Sequence, residues 1–150
     1  MVWVVHICIV FSLFSPIDQT KDGFMNYAWG TPFAQMARYF TLQQTRSHDD
    51  QQQYSVDLES LGEAELEECE FEFVDKSFAG VIITTANRAN SHRLLAFLKH
   101  LYGNGHVQDP MTIQWFSGDT HVSYDEGLSG NAYVYMYSRR LHTLKEPHNK

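Results

Sequence analysis

Cysteine is almost absent from this 150-residue chain. Cys8 and Cys69 are the only two, too few for a disulfide scaffold. Lys and Arg are missing altogether from Asp49 to Asp75, a stretch that holds 11 of the 18 acidic residues. The net charge of −7 argues against a nucleic-acid partner, because phosphate binding needs a basic face. Long hydrophobic runs are missing too. The longest, Val2 to Phe14 (VWVVHICIVFSLF), falls short of the ~20 apolar residues of a transmembrane span, so no stable span is expected. There is no G-x-S-x-G elbow for a serine nucleophile. There is no His or Cys spacing of a known metal site either.

What is present at the N-terminus is a run with the length of a signal-peptide core. Residues 1–16 are read as a secretory signal, because the apolar run ends at Phe14 and the text turns polar at Ser15, Asp18, Lys21 and Asp22. Only the α-amino group of Met1 supplies positive charge there, and no A-x-A cleavage site follows. The rival reading is a buried N-terminal strand, because Val, Ile and Phe favour strands. The first reading places the protein in the periplasm or outside the cell. The second leaves it cytoplasmic.

Hydrophobic residues at 43% and aromatics at 14% suffice for one sizeable core, so a single domain is expected over 24–141. Residues 142–150 read as a polar tail. Gln43 to Gln53 (QQTRSHDDQQQ) carries no hydrophobic side chain and reads as an exposed loop. Glu68 to Phe73 (ECEFEF) alternates strictly. A strand there puts Cys69, Phe71 and Phe73 in the core and three glutamates in solvent.

Two helices are predicted. The first starts at Thr31-Pro32, with Thr31 as N-cap and Pro32 at the first helical position. Phe33, Met36, Ala37 and Phe40 form its apolar stripe. The second runs from Asn90 or Ser91 to Tyr102 and stops at Gly103. Leu94, Leu95, Leu98, Leu101 and Tyr102 make its buried face. Strands are predicted near Tyr54–Leu58, at Glu68–Val74 and Gly80–Thr85, then at Met111–Phe116, Thr120–Tyr124 and Asn131–Ser138. Ser117-Gly118-Asp119 makes a hairpin turn. The order suggests an α+β fold with an antiparallel sheet and two helices on one face, as two successive αβββ units.

Three stretches carry a resemblance. They are Tyr27-Ala28-Trp29-Gly30-Thr31-Pro32 leading into a helix, Leu101-Tyr102-Gly103 closing the next, and Trp115 followed by Thr120-His121-Val122-Ser123-Tyr124. Over roughly residues 24 to 141 the chain resembles a loose group of small exported bacterial proteins of unknown function. It also has a distant look of β-lactamase-inhibitor-like folds and of small outer-membrane assembly lipoproteins. Those relatives bind other proteins and are not enzymes, so the resemblance implies a binding role. It transfers no functional residue.

Tyr133, Tyr135 and Tyr137 fall on one side of the last strand, with Val134 and Met136 on the other. Tyrosine packs well in half-buried sheets and is also enriched at protein interfaces. With Trp29, these tyrosines are the residues nominated for contact with a partner, a protein or a small ligand; Trp115 is the remaining aromatic considered beside them. The rival function is a hydrolase using His100, His106 or His121, which requires two of them to meet an Asp. His92 and His100 lie two helical turns apart, about 12 Å, too far for one metal. No catalytic residue, metal ligand or cofactor is assigned. Cys69, between glutamates that raise its pKa, reads as a small core residue.

Overall fold

The computed structural model describes residues 22–143. The proposed signal over 1–16, Cys8 and the segment 144–150 lie outside them. Over the described residues the fold is mixed α+β, built on an eight-stranded antiparallel sheet with three helices. Among the described residues, no helix is long and apolar enough to cross a membrane.

A short hairpin, β1 (Gly23–Phe24) and β2 (Tyr27–Ala28), precedes α1 (Phe33–Met36). The expected first helix is therefore a single turn, and its start is built differently. Pro32 is the N-cap, and no side chain caps the turn. Thr31 Oγ1 donates to the Ala28 carbonyl at 2.7 Å instead. Pro32 bridges to Ser77, and the Phe33 amide donates to the Lys76 carbonyl at 2.8 Å. One turn cannot support itself, so these ties and the core hold it. Met36 is fully buried, and Phe33 and Phe40 pack against the core. Ala37 is exposed, because the helix ends before the predicted stripe completes.

The first half of the main sheet comes from β3 (Leu42–His48), β4 (Gln51–Val56), β7 (Glu68–Val74) and β8 (Ser77–Thr84). A small hairpin, β5 (Ser60–Leu61) and β6 (Ala64–Glu65), interrupts it. Then α2 (Arg88–Tyr102) leads into β9 (His106–Asp109), β10 (Thr112–Ser117), β11 (Thr120–Glu126) and β12 (Ala132–Ser138). A last short helix, α3 (Arg139–Thr143), follows. The strand order is β3-β4-β7-β8-β12-β11-β10-β9. Each half is thus a four-stranded meander, and β8 pairs with β12 where the halves join.

Each half carries one main-sheet strand more than the αβββ expectation. In the first half it is β3, in the tract read as a loop. β3 is an edge strand exposed from Gln43 to His48, so no apolar period marks it. Polar side chains on an edge also discourage pairing with other chains. In the second half the extra strand is β9, also exposed throughout.

α2 starts earlier than expected because Asn87 is its cap. The Asn87 side chain accepts from the Asn90 amide at 3.0 Å. Leu94 and Leu98 are fully buried, and the Gly103 amide closes the helix on the Lys99 carbonyl at 2.9 Å. α3 takes in His142 and Thr143, two residues of the segment read as a tail.

The register defines two faces. Tyr54, Phe71, Val81, Met136, Val122 and Trp115 follow one another across the strands on the core side. Leu94 and Leu98 of α2 and Met36 of α1 belong to the same hydrophobic cluster. Arg46, Gln53, Glu72, Gly80, Tyr137, His121 and Phe116 follow one another on the other side. That second face is polar and aromatic.

Candidate functional site

The centre of the polar face is a buried carboxylate. Glu72 was expected in solvent, but it is only 1% exposed. The reason is α3, which turns back from the end of β12 and sets His142 over this part of the sheet. His142 Nε2 lies 2.6 Å from Glu72 Oε1. Tyr135 donates its hydroxyl to the same oxygen at 2.7 Å. Gln51 and Gln53 donate side-chain N–H groups to Glu72 Oε2 at 2.7 and 3.2 Å. Burial by itself would raise the carboxyl pKa. The hydrogen bonds from His142, Tyr135 and Gln53, with the charge of His142, outweigh it and bring the carboxyl down to about 2.

His142 Nδ1 lies 2.8 Å from the Ser138 carbonyl. Both ring nitrogens therefore face acceptors, an arrangement that the doubly protonated ring satisfies. Tyr135 keeps its proton, since burial and then the Glu72 charge push its pKa up. Gly80, directly opposite Glu72 in the register, leaves room for this network. A Cβ there would stand 3.2 Å from Glu72 Oε1 and from the Tyr135 ring.

An aromatic band runs outward from this centre. The Tyr137 ring lies 4.8 Å from that of Tyr135 and 4.7 Å from that of His142. His121 Nδ1 and the Tyr137 hydroxyl are 2.6 Å apart. His121 stacks on Phe116 at 4.5 Å with the rings nearly parallel, and Arg139 covers Phe116 at 5.8 Å. Burial, then the Arg139 charge, lower the His121 pKa. Tyr133 and Phe116 are 45% and 52% exposed.

The three nominated tyrosines thus lie on one face, with Val134 and Met136 buried behind it. Trp29 does not join them. It is 7% exposed, its Nε1 donates to Thr120 Oγ1 at 2.8 Å, and its ring packs on Phe78. Trp115 is buried too, with Nε1 donating to the Gly103 carbonyl at 2.8 Å. Both indoles serve the core.

The histidines nominated for hydrolysis are not brought together on an Asp. His100 lies on α2 beside Phe97 and His92, in an open cleft of about 530 Å³. His106 and His121 both contact Phe116. Among the described residues, no group of three or more His, Cys, Asp or Glu is placed to hold a metal. Cys69 is a free, buried thiol whose pKa burial, then Glu70, push up to about 12.

The two groups that organise the face, Glu72 and His142, went unrecognised in the sequence. Glu72 sat in a regular alternation that reads as a solvated strand face. His142 sat in a segment that reads as a frayed end. The usable signal was its spacing from Ser138, one helical turn, which lets it close on that carbonyl.

Along the margin nearest the start of β7, Glu68, Thr84, Tyr133, Asp125 and Thr112 follow one another across the strands. Glu67 and Glu68 sit between two open clefts of about 410 and 510 Å³. Tyr133, Asp125 and Glu126 border the larger.

Compared with protein-family models, with curated proteins and with solved structures, the chain matches none.

Proposed function

We propose that this chain is a small exported binding module that acts on a partner protein by contact, without catalysis. In this reading α1 and α2 cover one side of the sheet, and the polar, aromatic side is the docking surface. The observation that carries it is the exposure of Tyr133 and Phe116 on a face whose underlying layer is fixed. Tyr135 and His142 are locked to Glu72 by short hydrogen bonds, so little order need be gained on binding. Rigid aromatic rings are favoured anchors at interfaces. Both Glu72 oxygens are engaged in holding the face, by His142 and Tyr135 on one and by Gln51 and Gln53 on the other, which suits a scaffold more than a reaction centre.

The test is a paired substitution, Tyr133→Ala with Phe116→Ala, in the full chain expressed in its native host. Partner capture is expected to fall about tenfold or more, with the circular dichroism spectrum unchanged. Unchanged capture by a folded double variant overturns the reading. Export rests on residues 1–16 and on the resemblance to small exported bacterial proteins. It is tested by the N-terminus of the protein purified from its host. A mature start between about residues 16 and 24 supports it, and retention of Met1 refutes it.

A further inference from the structure

We infer that the partner presents a cationic segment, with Lys or Arg side chains seated along the acidic margin around Tyr133. This deepens the proposed function and rests on the polar face being the docking surface.

Three observations meet at that margin. The first is placement. Tyr133 pairs with Thr84 on one side and Asp125 on the other, and Glu68 lies one strand beyond Thr84. The most exposed tyrosine of the face therefore stands between carboxylates. An aromatic ring flanked by carboxylates suits a cation, which the ring face and the charges attract together.

The second is unbalanced charge. Among the described residues, no carboxylate from Asp57 to Glu70 has a Lys, Arg or His ion-pair partner, whereas Asp49, Glu72 and Glu126 each have one. The field reaches Tyr133, where burial and then the Glu72 and Glu70 charges raise the hydroxyl pKa against the opposing Arg46. Like charges held together by the fold repel, and a cationic partner relieves that repulsion.

The third is shape. Glu67 and Glu68 are exposed and stand between the two open clefts, so long side chains can approach them from either side. The sign of the charge turns away nucleic acid and anionic lipid.

The test is calorimetric titration of the full chain with a decalysine peptide, at low and at physiological salt. Two variants remove the same charge at different places. Glu67→Gln with Glu68→Gln acts at the margin. Asp49→Asn with Asp75→Asn acts at turns beyond the other end of β7, where Asn tolerates the left-handed backbone of both sites. The wild type is expected to bind, the margin variant about tenfold or more weaker, and the turn variant within about twofold of wild type. Equal weakening by both variants overturns the proposal, since only bulk charge would then be sensed. No binding by the wild type also overturns it. If decalysine fails while Tyr133→Ala with Phe116→Ala still abolishes capture of the host partner, the docking face stands and the cationic partner falls.

Discussion

His142 Nε2 lies 2.6 Å from Glu72 Oε1, although 70 positions separate them in the chain. The contact joins the last helix to the middle of the sheet. It also closes a network in which one buried carboxylate receives Tyr135, Gln51 and Gln53 as well. Removing the histidine would leave a buried charge without its counter-charge. His142→Ala is therefore expected to cost about 3 kcal/mol in urea unfolding. A loss under about 0.5 kcal/mol would mean that the pair is merely adjacent.

The same carboxylate makes stability depend on pH. In the folded chain Glu72 titrates at about 2, against an ordinary value of 4.5. As pH falls, the unfolded chain takes the proton first. The stabilisation is whole above about pH 4.5, shrinks below it, and is gone once pH passes about 2. The gap amounts to about 3 kcal/mol. Melting temperature followed from pH 6 to pH 2 (roughly the span of that linkage) should fall steeply in the wild type and more gently in Glu72→Gln. Parallel curves for the two proteins would refute it.

Much of the sheet was legible because burial on one side writes a period of two into the chain. β10 and β11 alternate between Ile113, Trp115, Val122 and Tyr124 on the buried side and Thr112, Gln114, Phe116, His121 and Ser123 on the other. Ser117-Gly118-Asp119 marks their turn, and Gly118 has the positive φ that the turn needs. α2 was legible from leucines one turn apart. What stayed hidden has one physical cause. β3 and β9 have no buried side to impose a period, and Glu72 is buried by a helix that arrives late in the chain. Burial of that kind is a tertiary fact, and a local alternation of Glu and Phe reads the same with or without it.

Gly80 offers a steric probe of the network. A Cβ would meet Glu72 Oε1, the Tyr135 ring and the Met136 carbonyl, all at 3.2 Å. Two of those are held by hydrogen bonds and the third is backbone, so none yields cheaply. Gly80→Ala is expected to destabilise by about 1–2 kcal/mol despite its lower backbone entropy when unfolded. The His142 ring resonances should shift in the same variant. A stabilised protein with unmoved His142 resonances would show that the space is slack.

Stability and contact should separate within the tyrosine row. Tyr135 is tied to Glu72 and its ring is half-buried, whereas Tyr133 is 45% exposed. Tyr135→Phe removes a hydroxyl donor from a buried carboxylate but keeps the ring and leaves Tyr133 and Phe116 in place. It is expected to cost about 1–2 kcal/mol in unfolding and to change partner affinity by less than about threefold. Tyr133→Ala should do the reverse, with stability within about 0.5 kcal/mol of wild type and affinity reduced about tenfold. Two measurements on two variants thus give a crossed pattern. If both variants lose stability and affinity in proportion, the row is one structural unit, and contact cannot be assigned to its exposed member.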